Sequence, residues 1–150
     1  MATRAATGRA ASIPLLSPQQ LVDCAPNPEH CGGTGGCEGS TQPLAFQYLI
    51  DAGGHDADKD YPYTARDGAC KAKANTPVVG ITGLVDLPTN NYTALMHALS
   101  TAGPIAISVD ASWGAYESGV YKPAASGIST TIDHAVQLVG YGTEKGTDYW

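Results

Sequence analysis

All four cysteines of the 150-residue chain, Cys24, Cys31, Cys37 and Cys70, lie in its first half, and none follows position 70. That asymmetry is the strongest constraint on how the chain is organised. An even cysteine count in a chain with only 15% charged residues favours disulfides and an oxidising compartment. The rival is a zinc cluster of Cys24, His30, Cys31 and Cys37. It lacks paired C-x-x-C knuckles, and adjacent residues such as His30 and Cys31 rarely both reach one tetrahedral ion.

The length suits one domain, or two half-domains. A net charge of -6, with the acidic residues scattered, is the opposite of a nucleic-acid footprint, so no DNA or RNA partner is expected. No apolar run reaches the roughly 18 residues of a membrane helix, so no membrane partner is expected either. Residues 1–14 also lack a signal-peptide core, and if the protein is secreted, its targeting segment lies outside this chain.

Ser17-Pro18-Gln19-Gln20 has the form of a capping box and predicts a short helix through Asp23. Residues 25–39 are turn chemistry, with Gly32-Gly33 and Gly35-Gly36 making positive φ cheap. Ser40 or Thr41 then caps a helix through Ala52 that is apolar nearly all round and so is expected to be buried. Residues 55–76 read as ordered loop tied down by Cys70. Val78, Val79, Ile81, Leu84 and Val85 suggest strands, with a boundary near residue 77. A helix capped at Asn91 or a neighbour and closed by Gly103-Pro104 feeds a half-buried strand at Ile105, Ile107 and Val109. A last strand runs from His134 to about Tyr141, apolar on both faces as inside a closed sheet. Segregated helices and strands give an α+β class.

Of the four histidines, His134 is the informative one, since it heads an apolar strand and should have one end in the core and one in a crevice. By spacing alone, a satisfied edge histidine is the plainer reading. Six blocks in order change that weighting: Leu16-Ser17-Pro18-Gln19-Gln20-Leu21-Val22-Asp23-Cys24, Gly36-Cys37-Glu38-Gly39, Tyr61-Pro62-Tyr63 before Cys70, Gly103-Pro104-Ile105-Ala106-Ile107, Gly119-Val120-Tyr121, and Asp133-His134-Ala135-Val136 through Gly140-Tyr141-Gly142. Over nearly its whole length the chain resembles the papain family of cysteine peptidases.

The resemblance implies a two-lobed fold, incomplete here, with part of a helical lobe at residues 1–77 and part of an antiparallel β-barrel lobe at 78–150. It implies peptide-bond hydrolysis by a cysteine thiolate paired with an imidazolium, His134 being the general acid and base. A helix N-terminus and an imidazolium can lower a thiol by several units from its ordinary pKa of about 8.5. The family's nucleophilic cysteine, on the central helix, belongs before Met1, and its orienting asparagine belongs after Trp150. The 150 residues alone are therefore expected to be inactive.

By the same resemblance Cys24 pairs with Cys70, Cys37 is a half-cystine whose partner lies upstream, and Cys31 is extra. Cys37 is the sole candidate for a substitute nucleophile, because it follows a glycine-rich loop and precedes a helix start that favours thiolate. The resemblance also places substrate contacts at Gly39, Ser40, Thr41 and Gln42 on the helical side and at Ser108, Ala111, Ile132 and Asp133 on the barrel side. Ser40 stands where the family usually has glycine, and an apolar preference is expected in the pocket for the second residue before the cut.

The implied partners are a peptide or protein substrate and, in the parent, a pro-segment or a cystatin-like inhibitor. No cofactor and no metal are implied, and the compartment would be a lysosome, a vacuole or the secreted space. A third family disulfide has no cysteine available between residues 121 and 132. Asn91-Tyr92-Thr93 is a glycosylation sequon. The alternative is a catalytically inactive relative acting as a binding or storage protein.

Overall fold

A computed structural model describes residues 14–72, 76–114, 116–122 and 131–150. The chain packs as two units, one ending at Asp86 and one beginning at Leu87. The first thirteen residues of the helical-lobe part expected at 1–77 lie outside the described set.

In the first unit, helix α1 (Pro18–Cys24) starts where the sequence places it. Ser17 holds extended backbone, its hydroxyl oxygen accepts the Gln20 N–H at 3.0 Å, and Pro18 enters the first turn, where a missing N–H costs nothing. The capping box forms only by half, however. Gln20 does not turn back to Ser17; its Oε1 accepts the Asp56 N–H at 2.7 Å, and its Nε2 donates to the Tyr48 hydroxyl at 3.2 Å and the Gly54 carbonyl at 3.4 Å. The Ser17 N–H goes instead to the Asp56 carbonyl at 3.0 Å. Gln20 is fully buried, and a buried amide must satisfy both ends, which these distant partners do and a single local bond would not.

Gln19, also buried, works the same way: it accepts from the Thr64 N–H at 2.8 Å and donates to Asp23 Oδ1 at 2.7 Å and the Arg66 carbonyl at 2.8 Å. The Ser17 hydroxyl donates to the Tyr61 carbonyl at 2.6 Å. Leu49, Ala57 and Tyr61 supply the apolar core around this network. The Cys24–Cys70 disulfide, with Cα atoms 4.8 Å apart, fastens the irregular segment after Tyr61 to the end of α1. With Cys24 in that bond, it is unavailable to the zinc cluster.

Helix α2 (Gln42–Asp51) also departs from expectation. Thr41 sits at its N-cap without a side-chain cap bond, and Pro43 has removed one of the N–H groups such a cap would satisfy. Only Leu49 is buried; Leu44, Phe46, Tyr48 and Ile50 are half-buried, so the helix is covered only in part. The strands expected over Val78–Val85 reduce to one bridge, in which His55 donates to the Val79 carbonyl at 2.7 Å and accepts from the Val78 N–H at 2.9 Å. Val85 is 87% exposed. β-branched residues make a strand only where a neighbour offers a ladder, and among the described residues none of this run beyond Val79 is paired.

In the second unit, helix α3 (Tyr92–Ala102) is capped by Asn91 and stopped at Gly103, whose φ of 100° suits glycine. Strands β1 (Ile105–Val109) and β2 (His134–Leu138) pair antiparallel, with Val109 opposite His134 and Ile105 opposite Leu138. A short hairpin of β3 (Gly142–Glu144) and β4 (Thr147–Tyr149) follows. Helices and antiparallel strands are segregated, as an α+β fold requires. The strand headed by His134 ends at Leu138 rather than Tyr141, and its faces are not both covered: Leu138 is buried, Val136 half-buried, Ala135 exposed and Val139 74% exposed. Among the described residues the ladder has two strands, too few to shield both faces.

Candidate active site

His134 is placed by its backbone. It pairs with Val109 across the ladder, and Asp133 just before it donates its N–H to the Val109 carbonyl at 3.1 Å. The Asp133 carboxylate accepts the Ala111 N–H at 2.9 Å, closing the chain that leaves β1 onto the chain that enters β2. The ring is exposed rather than half in the core, and it meets Trp113 nearly edge to face, with centroids 6.4 Å apart and planes at 70°. Trp113 packs in turn on Tyr121, also at 6.4 Å, and Tyr121 on Tyr116.

The four barrel-side candidates fall in this neighbourhood. Ser108 lies opposite Ala135, Ala111 and Asp133 are hydrogen-bonded, and Ile132 is 61% exposed at the entrance to β2. Trp113 was not singled out from the sequence. Its signal was only its place three residues after Asp110, in a segment without periodicity.

The other candidates, Gly39, Ser40, Thr41 and Gln42, belong to the first unit, at the end of the glycine-rich loop. This loop is irregular but not loose. Asn27 accepts the Cys31 N–H at 2.8 Å, and its Nδ2 donates to the carbonyls of Gly33 at 2.9 Å, Cys31 at 3.0 Å and Gly39 at 3.3 Å. A 3-10 turn at Gly36–Glu38 follows, in which Asp67 Oδ1 accepts the Cys37 N–H at 2.7 Å. Gly33 has φ of 142°, and a Cβ there would collide with the Glu38 carbonyl, so the chain can cross itself only at glycine. Asn27 and Asp67 hold this loop, and from the sequence they read only as turn residues.

The hydrogen bonds sort the two loop candidates. Gly39 spends both backbone groups inside the loop, its N–H on the Gly36 carbonyl at 3.4 Å and its carbonyl on the Gly35 N–H at 2.8 Å. Ser40 makes no hydrogen bond among the described residues, and its hydroxyl is buried without a partner.

Cys31 and Cys37 are both free and exposed. Loss of hydration, the hydrogen bond and charge of Asp67, and the charges of Glu38 and Asp23 all push the Cys37 thiol above its ordinary value. The geometry does not support the helix-start argument for a thiolate at Cys37: the turn is only three residues long, and the Asp67 carboxylate that takes the Cys37 N–H disfavours a second negative charge beside it. Among the described residues no three His, Cys, Asp or Glu side chains are grouped to hold a metal ion.

The model of the papain family of cysteine proteases matches residues 2–150. The chain belongs to that family. Among papain-family relatives, mouse procathepsin L is 46% identical over 144 residues, covering 90% of this chain and 41% of its own length. Digestive cysteine proteinase 1 of Homarus americanus is 42% identical, covering 96% of this chain and 44% of its own. The digestive procathepsin L2 proteinase of Tenebrio molitor larval midgut superposes with a TM-score of 0.80 at 36% identity, over 92% of this chain and 42% of that one. The bromelain protease of Ananas comosus, solved with the E64 inhibitor, gives 0.78 at 34% identity, over 92% and 60%. The chain therefore spans about two fifths of the length of these curated relatives.

Proposed function

We propose that this chain is the histidine-bearing part of a papain-like cysteine endopeptidase, with His134 as its general acid and base. The observation that carries the reading is the setting of His134: a main chain fixed by β1 and by the Asp133–Ala111 bond, and an exposed ring steadied by Trp113. Such a group can meet a substrate without moving its backbone.

In the implied reaction a cysteine thiolate attacks the scissile carbonyl, and the imidazolium at 134 gives its proton to the leaving amine. The neutral ring then takes a proton from the water that attacks the acyl-enzyme, and the C–S bond breaks with its electron pair on sulfur, so the thiolate leaves and the thiolate–imidazolium pair is restored. On this reading the nucleophilic cysteine and the orienting asparagine come from parent sequence outside these 150 residues. Residues 1–77 and 78–150 are the corresponding parts of the helical and barrel lobes. In the first unit Ser40 offers its backbone to an extended peptide, with Thr41 and Gln42 as further substrate contacts; in the second unit Ser108, Ala111, Ile132 and Asp133 are the substrate contacts. Procathepsins among the relatives support a pro-segment in the parent, and the Cys24–Cys70 bond supports a lysosomal, vacuolar or secreted location.

The test is hydrolysis of a peptidyl-coumarin substrate. In the complete parent, His134→Ala should lower kcat by at least about 100-fold with the fold intact, and the 150 residues alone should give no turnover. An unimpaired His134→Ala enzyme, or turnover by the isolated chain, would refute the assignment.

A further inference from the structure

The chain has four asparagines, and only Asn91, in Asn91-Tyr92-Thr93, is followed by x-Ser/Thr without an intervening proline. The fold places this sequon at the start of α3, with Asn91, Tyr92 and Thr93 all exposed. Asn91 is also the residue that caps the helix: its Oδ1 accepts the Ala94 N–H at 2.9 Å, while its backbone accepts from Leu95 at 3.0 Å and donates to Pro88 at 3.3 Å. The other end of the same amide, Nδ2, makes no hydrogen bond among the described residues. The cap thus orients the amide with its oxygen toward the helix and its nitrogen toward solvent.

We propose that Asn91 is an N-glycosylation site whose amide serves two partners at once, the helix through Oδ1 and an oligosaccharide through Nδ2. The chemistry is compatible with the cap. Nδ2 displaces pyrophosphate from the anomeric carbon of a lipid-linked oligosaccharide; the C–N bond forms as the C–O bond breaks, the electron pair leaves with the pyrophosphate oxygen, and the nitrogen gives up one of its two protons. The product is still a planar amide, so Oδ1 keeps the lone pairs that receive the Ala94 N–H. Transfer and the Cys24–Cys70 disulfide call for the same secretory lumen. The inference needs that route and does not depend on the peptidase reading.

The chain is secreted from a eukaryotic host behind a cleavable leader, beside Thr93→Ala, which removes the sequon and keeps the cap, and Asn91→Asp, which does the same with a carboxylate. The wild-type chain should carry one glycan, removed by a peptide-N-glycanase that leaves Asp at 91, and both variants should be unmodified. An unmodified wild-type chain overturns the site. Hydrogen exchange at the Ala94 amide tests the shared use: the glycosylated chain should match Thr93→Ala within about twofold, while Asn91→Ala exchanges about fivefold faster, as loss of a typical cap implies. Exchange in the glycosylated chain as fast as in Asn91→Ala would show that sugar and cap exclude each other.

Discussion

Cutting the Cys24–Cys70 bond should cost the first unit a large share of its stability, and the cost can be worked from the loop it closes. The cysteines are 46 residues apart in sequence. In the chain-entropy account the crosslink removes 2.1 + 1.5R ln n cal/mol/K from the unfolded ensemble, which for n of 46 is about 13.5 cal/mol/K, or about 4 kcal/mol at 25 °C. Small domains have about 5–15 kcal/mol in total, so Cys70→Ala should leave this unit marginal.

Fluorescence is the wrong probe, because Trp113 and Trp150 both lie in the second unit. Native-state hydrogen exchange at the Ser17, Gln20, Asp56 and Thr64 amides reads the first unit directly, since each is bonded in the network around α1. These amides should exchange about 1000-fold faster in Cys70→Ala, whereas Cys31→Ser should leave them unchanged. An acceleration below about fivefold in Cys70→Ala would refute the reasoning. It would mean that residual structure already restricts the unfolded chain as tightly as the disulfide does.

Three further perturbations are worth making. Ser17→Ala removes the cap of α1 and the donor to the Tyr61 carbonyl, and in urea unfolding followed by far-UV circular dichroism it should cost about 2 kcal/mol; a loss under 0.5 kcal/mol would count against the network. The Cys37 thiol, held up in pKa by desolvation and Asp67, should be alkylated slowly near neutrality and faster only as pH rises through its elevated value. Asp67→Asn should move that profile to lower pH, and an unmoved profile would remove Asp67 as a cause. Asn27→Ala, which strips four bonds from the glycine-rich loop, should raise exchange at the Cys31 N–H by tenfold or more; unchanged exchange would show that the glycines alone set the loop.

The sequence was most legible where structure is local. Ser17 and Pro18 start α1, Asn91 caps α3, and Gly103 stops it, because each acts within one turn of itself. Legibility failed where a partner distant in sequence decides. Gln20 fits a capping box, yet Asp56, Gly54 and Tyr48 claim its amide. Val85 is a good strand residue without a strand beside it. His134 was found through its sequence block, but its exposure and its contact with Trp113 follow from the pairing of β2 with β1, which no local pattern encodes. Asn27 was hidden for the opposite reason: in a run of turn residues nothing marks the one whose side chain ties the others together.

The two glutamines of α1 also determine how this protein can be recombined with its relatives. A leucine at either position would fill a similar volume, yet it would strand the Asp56 or the Thr64 N–H, so size is a poor guide to exchange here. Residues 17–24 and 54–66 each carry half of the same bonds. In a chimera they form one discontinuous inheritance block: grafted together from a single parent they should carry their geometry with them, and a crossover falling between them would mismatch donors with acceptors however alike the flanking sequences are.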